Sequence, residues 1–111
     1  AADFAICRAG AATCAELVAT GLPALLVPLP GAPRDHQTAN ALAMKVVGAA
    51  DMVEQGSLTA EWLAGYLREL LTSADRLERM RTALAAIPRL NATDALAGLV
   101  EATGKAAASG R

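Results

Sequence analysis

Aromatic side chains and histidine are scarce in this 111-residue sequence, which contains one Phe, one Trp, one Tyr and one His. A packed core must therefore rely on aliphatic side chains, which are plentiful because hydrophobic types make up 54% of the chain. The two cysteines, Cys7 and Cys14, do not form a CxxC motif. With one His, they argue against a metal site and are typical of reduced thiols in a cytosolic protein.

An excess of charge of one sign and long apolar runs are also missing. Ten Lys and Arg face eleven Asp and Glu, and this balance argues against a nucleic-acid partner. The longest uncharged segment, residues 17–33, contains four prolines and two glycines and therefore predicts no membrane-spanning helix. No signal peptide is visible. Association with a membrane surface stays open.

The first half of the chain alternates between strand and helix patterns. Short apolar runs at residues 4–7, 24–27 and 50–53 are typical of buried parallel strands. The segments between them predict two helices, 11–20 stopped by Gly21 and 35–48 beginning at Asp35. This order predicts an α/β fold with a parallel sheet and right-handed crossovers. Three strands are few for such a sheet, and the chain opens on Ala1, so we expect a fragment whose missing strands precede it.

The second half is predicted to be helical. Thr59 should cap a helix with an apolar stripe that includes Trp62 and Tyr66, and Ser73 should cap the next one. A last helix begins at Asn91 or Thr93. Three arginines of the Ser73-capped helix are interpreted as a solvated face, namely Arg76, Arg79 and Arg81. We expect residues 1–103 to form the domain and residues 104–111 to form a flexible tail.

The turn "RAGAAT", residues 8–13, follows the first strand and opens the first helix. The amides of a helix N-terminus carry a partial positive charge and favour phosphate. Gly10 and the small Ala11 and Ala12 would allow a diphosphate to approach the backbone, and Thr13 would add a hydroxyl group. The alternative is that Gly10 serves a tight turn and that Thr13 only supports the first helical turn, and a single glycine does not decide between them.

Glu16 lies one helical turn after Thr13. Its carboxylate could accept hydrogen bonds from the two hydroxyl groups of a ribose, as acidic residues do in dinucleotide sites. The alternative is a solvated Glu stabilised by the helix dipole.

The segment "DHQTANA", residues 35–41, begins the second helix at the same predicted rim of the sheet. Gln37 and Asn40 are three residues apart and can face one pocket, and their amides suit sugar hydroxyl groups because each offers a donor and an acceptor. His36 adds a further polar group. The alternative is a polar helix start with His36 exposed and Asn40 satisfied locally.

The two segments together, "CRAGAATCAELVATGLPALLVPLPGAPRDHQTANA" followed by "GAADMVEQGSLT", closely resemble the C-terminal domain of the MurG family. These are bacterial GT-B glycosyltransferases of family 28, which transfer N-acetylglucosamine (GlcNAc) from UDP-GlcNAc. "NATDALAGLVE" matches the family's C-terminal helices more loosely. The resemblance implies the C-terminal part of a Rossmann-like GT-B domain, with parallel strands, flanking helices and a helical C-terminal section.

The resemblance also implies roles for the residues above. Ala11, Ala12, Thr13 and Glu16, with Gly10 opening the turn, match the donor-binding stretch, in which Glu16 holds the uridine ribose. His36, Gln37 and Asn40 match the element that recognises GlcNAc hydroxyl groups. Ala9 stands where the family often has Ser, and His36 where some members have Gln.

The implied reaction is GlcNAc transfer with inversion to lipid I, which gives lipid II in peptidoglycan synthesis, without an essential metal or cofactor. The implied location is the bacterial cytoplasm, peripheral on the cytoplasmic face of the membrane. Lipid I would bind through an N-terminal domain that is not in this chain. We therefore expect no catalytic residue here and no transferase activity from the chain alone. Two alternatives remain, namely the donor-binding part of another GT-B transferase and a non-catalytic nucleotide-sugar-binding module.

Overall fold

A computed structural model describes residues 3–30, 36–73, 75–88 and 92–109. Its sheet has three parallel strands in the order β1-β2-β3, namely β1 (Ala5–Cys7), β2 (Ala24–Leu26) and β3 (Asp51–Met52). Ile6 pairs with Leu25, and Leu26 pairs with Met52. Every residue of β2 is buried, as expected for a central parallel strand covered on both faces. The predicted α/β class with a parallel sheet is confirmed.

Two helices connect the strands. The first, α1 (Ala11–Thr20), has the predicted bounds and buries Cys14, Leu17 and Val18. It ends at Gly21, whose left-handed φ of 67° suits glycine and whose amide reaches the carbonyl groups of the last turn. The second, α2 (His36–Val46), ends just before Gly48, which also has a positive φ. The predicted N-cap of α2, Asp35, lies outside the described residues.

After a short 3-10 helix at Gln55–Ser57, the described part of the chain contains three more α-helices, namely α3 (Ala60–Thr72), α4 (Arg76–Ala85) and α5 (Ala92–Ser109). The predicted cap at Thr59 is confirmed, because its Oγ1 accepts a hydrogen bond of 3.1 Å from the Trp62 amide. The predicted N-cap at Ser73 is wrong. Ser73 ends α3 by donating its amide to the Glu69 carbonyl group, and Asp75 precedes α4.

The sheet separates two apolar clusters because successive residues of β2 point to opposite faces. Leu26 packs with α1, α2 and α5 on one face, and Leu25 packs with α3 on the other. Helix α4 contributes to both clusters, through Leu84 to the first and Met80 to the second. The interpretation of the Trp62 and Tyr66 stripe as core is confirmed, since both belong to the second cluster.

Helix α5 lies across α1 and α2 and contacts both. Its Leu96 is 2% exposed and belongs to the first cluster. Thr93 is inside the helix and does not begin it, while Asn91 lies outside the described residues. The helix includes residues 104–109, so the predicted boundary at residue 103 falls within α5. The flexibility of the tail stays a prediction.

Arg76 is not part of a solvated face, which corrects the interpretation from sequence. Its guanidinium group lies 2.7 Å from Oδ2 of Asp51 in β3 and 5.4 Å from the centre of the Tyr66 ring. The Tyr66 hydroxyl group donates to the same Asp51 oxygen. Burial and this hydrogen bond raise the pKa of Tyr66 far above its ordinary value. The three side chains connect β3, α3 and α4.

The Cys14 thiol is fully buried, and we therefore expect the folded chain to lose stability at alkaline pH. Burial, with a smaller contribution from Cys7, raises the pKa of Cys14 from 9.0 to about 11. Above pH 9 the unfolded chain releases this proton while the folded chain keeps it. The stabilisation is therefore complete below pH 9 and is lost as the pH rises to about 11. We expect this thiol to cost about 2 kcal/mol over that window.

Urea unfolding of wild type and Cys14→Ala at about pH 8 and about pH 10.5 measures this contribution. The variant starts less stable because the substitution leaves a small cavity, but it should lose about 2 kcal/mol less between the two conditions. An equal loss in both proteins would exclude Cys14 as the source.

Candidate functional site: two helix N-termini at one edge of the sheet

Helices α1 and α2 each begin beyond the carboxyl end of a strand, α1 after β1 and α2 after β2. The strands are parallel, so both helix N-termini lie at the same edge of the sheet. A direct contact joins them, because Nδ2 of Asn40 in α2 donates to the carbonyl oxygen of Ala9 at 2.9 Å. Ligands of open α/β sheets bind at this edge.

The N-terminus of α1 has no side-chain cap. Gly10 occupies the N-cap position, and the first turn contains no acidic residue. The first helical hydrogen bond runs from the Cys14 amide to the Gly10 carbonyl oxygen. Within the described part of the chain, no hydrogen bond uses the amides of Ala11, Ala12 and Thr13. Three donors and the positive end of the helix dipole are therefore open to an anion.

The fold itself does not require a glycine at position 10. Gly10 has φ −63° and ψ 153°, a conformation that any residue adopts. A Cβ atom built on it meets no atom within 4 Å. A tight turn therefore does not explain this glycine, in contrast to Gly21, whose φ is positive. The open space beside Gly10 lies at the uncapped amides.

Thr13 and Glu16 follow along α1. Thr13 is partly exposed and Glu16 is exposed. The carbonyl oxygen of Glu16 accepts from the Thr20 hydroxyl group at 2.8 Å, but no described residue bonds to its carboxylate. The carboxylate is thus accessible to a ligand. Its role toward a ribose stays a prediction.

The two amide side chains of α2 hold backbone segments. Asn40 is 7% exposed, and its bond to Ala9 fixes the turn before α1. Oε1 of Gln37 accepts the Leu29 amide at 2.8 Å and so holds the loop after β2. This leaves the Gln37 Nε2 donor without a partner among the described residues. His36 is exposed. The sequence predicts that Gln37, Asn40 and His36 lie at the site. It does not reveal that the Gln37 and Asn40 side chains bind backbone groups.

A cavity of about 280 Å³ opens beside the two N-termini. One side is formed by Ala11, His36 and Asn40, all of which the sequence assigns to the site. The other side is formed by α5, which the sequence does not assign to it. The apolar period of α5 predicts that one face is buried but not which helices cover it, so sequence reasoning missed this wall.

Clusters of metal-ligating side chains and membrane-spanning helices are both absent from the residues that the structure describes. Among them, no three or more His, Cys, Asp or Glu residues are grouped as metal ligands. In the same part of the chain, no helix combines the length and apolar character needed to cross a bilayer.

Comparisons with known proteins identify relatives of this chain. The chain is 57% identical over 79 residues to the UDP-N-acetylglucosamine–N-acetylmuramyl-(pentapeptide) pyrophosphoryl-undecaprenol N-acetylglucosamine transferase of Alkalilimnicola ehrlichii, which covers 71% of this chain and 22% of that protein. The transferases of the same name from Methylococcus capsulatus and Thiobacillus denitrificans are 51% identical over 96 residues and 48% identical over 105 residues. These two matches cover 86% and 93% of this chain, and 27% and 28% of those proteins.

A solved structure is also similar. The crystal structure of Acinetobacter baumannii MurG matches with a TM-score of 0.71 and 38% identity, over 94% of this chain and 30% of that chain. The matches thus span only about a fifth to a third of the proteins that this chain resembles. The model of the glycosyltransferase family 28 C-terminal domain matches residues 1–96. The chain therefore belongs to the glycosyltransferase family 28 C-terminal domain family.

Proposed function

We propose that this chain is the donor-binding part of a transferase that moves GlcNAc from UDP-GlcNAc to lipid I and forms lipid II. The observation that carries the proposal is the uncapped N-terminus of α1, where a glycine that the fold does not require leaves space beside three unbonded amides. The relatives, whose name states both the donor sugar and the lipid-linked acceptor, support the choice of substrates.

The donor diphosphate would bind at Gly10, Ala11, Ala12 and Thr13. Backbone amides and the helix dipole attract the phosphate oxygens there. When the sugar leaves UDP, negative charge grows on the phosphate nearest to it, and fixed donors at that position stabilise the charge. The chain would thus assist departure of the leaving group. The acceptor-binding residues and the catalytic base would belong to another part of the whole protein. The alternative of a non-catalytic nucleotide-sugar module shares the same donor site.

Glu16 would accept hydrogen bonds from the ribose, and Gln37, through its Nε2 donor, would bind a sugar hydroxyl group. His36 and Asn40 complete the proposed sugar side. We further propose that the whole protein acts at the cytoplasmic face of the bacterial membrane, because its acceptor is lipid-linked.

The ribose assignment is tested by Glu16→Gln. We expect the variant to bind UDP roughly tenfold more weakly, because hydrogen bonds to a charged carboxylate each contribute about 1.5–3 kcal/mol. Wild type should prefer UDP over 2′-deoxy-UDP, and the variant should lose most of this preference. Amide shifts of Ala11 to Thr13 in proton–nitrogen correlation spectra of the chain measure even weak affinities.

Glu61→Gln is the matched control, since Glu61 is an exposed acidic residue in the first turn of α3. Its UDP affinity should equal that of wild type. Equal affinities of Glu16→Gln and wild type, with the same preference between the two nucleotides, would show that Glu16 is a solvated helix residue.

A further inference from the structure

The cavity beside the two helix N-termini has a wall that none of the proposed donor contacts includes. Five residues of α5 line it, namely Thr93, Leu96, Ala97, Val100 and Glu101. The opposite side contains Ala11, which begins the open turn of α1, together with His36 and Asn40. The cavity therefore lies between α5 and the N-termini of α1 and α2, and it borders the proposed diphosphate position at Ala11.

The lining of this cavity is chemically mixed. Hydroxyl, imidazole, amide and carboxylate groups come from Thr93, His36, Asn40 and Glu101, while Leu96, Ala97 and Val100 supply an apolar surface. A hexose with an N-acetyl group has the same mixture, since hydroxyl groups need polar partners and one methyl group needs an apolar contact. A volume of about 280 Å³ suits a part of a ligand, because complete small-molecule sites occupy about 300–1,000 Å³.

We propose that α5 forms the outer wall of the sugar subsite, with the N-acetyl methyl group of the donor against Ala97 and Val100. This inference rests on the proposed function, since it names the place of the sugar once the diphosphate lies on α1. In a nucleotide-sugar the sugar is bonded directly to the diphosphate, and Ala11 lines both the open turn of α1 and the cavity. Thr93, on α5, would offer its hydroxyl group for a hydrogen bond to the sugar, and His36 lies on the α2 side of the cavity.

The wall is held in place by the core. Leu96 is 2% exposed and packs in the cluster that contains α1 and α2. Leu99 and Ala95 pack against the same cluster from α5. A subsite requires such a fixed wall, because discrimination between sugars is lost when the contacts can move away. Ala97 is exposed, so its side chain can be enlarged without disturbing the cluster.

Ala97→Leu tests the subsite. Leucine keeps a high helix propensity and would fill space that the sugar needs. We expect the affinity for UDP-GlcNAc to fall roughly tenfold, while the affinity for UDP stays within about twofold of wild type. Ala102→Leu is the matched control, since Ala102 is an exposed alanine of the same helix that does not line the cavity. The control should change neither affinity.

Nuclear Overhauser contacts between the acetyl methyl group of UDP-GlcNAc and the methyl groups of Ala97 or Val100 provide a direct second measurement in the wild-type chain. Their presence supports the subsite. Equal UDP-GlcNAc affinity of Ala97→Leu and wild type, or contacts from the acetyl group only to other residues, overturns it. In that case Glu16-dependent UDP binding would still support the proposed function. If neither the sugar effect nor Glu16-dependent UDP binding is observed, and UDP does not shift the Ala11 amide signal, the donor site as a whole is overturned.

Discussion

Replacement of Gly10 with aspartate is expected to reduce the affinity for UDP by roughly 100-fold while it slightly stabilises the fold. Gly10 is the N-cap of α1, and no side chain bonds to the first amides of this helix. An aspartate at this position would accept from those amides and place a negative charge at the positive end of the dipole. The same carboxylate would occupy the position where the diphosphate binds, and its negative charge would repel the phosphate groups. We expect a gain in the free energy of unfolding of about 0.5 kcal/mol.

Three substitutions separate the causes of this effect. Gly10→Ala adds a Cβ atom to open space and no cap, so it should weaken UDP binding least. Gly10→Asn adds a neutral capping group, and Gly10→Asp adds a capping group with charge. The affinity for UDP should fall in the order Ala, Asn, Asp, and the stability in urea should rise in the same order. Stability and binding would thus change in opposite directions at one residue.

Wild-type UDP affinity in Gly10→Asp would contradict the diphosphate assignment, because the amides would then be occupied without consequence. A loss of binding together with unfolding would also contradict it, since the backbone angles at Gly10 suit any residue. We interpret Gly10 as a position where the fold gives up stability so that a diphosphate can reach the α1 amides. Only a variant that is more stable and does not bind UDP supports this interpretation.

Local signals in the sequence were sufficient for the elements that local interactions determine. The bounds of α1 were predicted because Gly10 precedes it and Gly21 ends it. The Thr59 cap was predicted because its partner, Trp62, is three residues away. Ser73 had the same residue type and a helix after it, but its amide ends α3. The break between α3 and α4 could not be located from propensity alone.

Long-range contacts account for what the sequence could not predict. The charged neighbours of Arg76 in α4 predict a solvated side chain, yet its partner is Asp51, 25 residues away. The position of α5 over α1 and α2 likewise depends on packing between distant segments. At the site, the residue types of α2 were predicted, but the binding of Asn40 to a carbonyl oxygen 31 residues away was not. The polar side chains were identified from local pattern, and their partners are set by the tertiary fold.

Asn40→Asp is expected to destabilise the fold by about 3 kcal/mol near pH 7, more than any surface substitution would. The Asn40 amide is buried, and its Nδ2 donates to Ala9. An ionised carboxylate has no hydrogen to donate, and it would face the carbonyl oxygen of Ala9 with a negative charge. Asn40→Ala should cost less, about 1–3 kcal/mol, because it leaves an unbonded carbonyl group but no buried charge. Urea unfolding of both variants measures the difference.

Acid should partly restore Asn40→Asp, because a protonated carboxyl group again has a hydrogen to donate to Ala9. Its free energy of unfolding, relative to wild type, should therefore rise as the pH falls from about 7 to about 5.

Gln37→Glu is the matched control, since it adds the same charge one turn earlier in α2 and keeps an acceptor for the Leu29 amide. Its stability should stay within about 0.5 kcal/mol of wild type. If Asn40→Asp were as stable as this control near neutral pH, the Asn40–Ala9 bond would not hold the turn. Destabilisation of Asn40→Asp alone would show that α2 fixes the turn before α1, and hence that the proposed sugar side and diphosphate side are built as one unit.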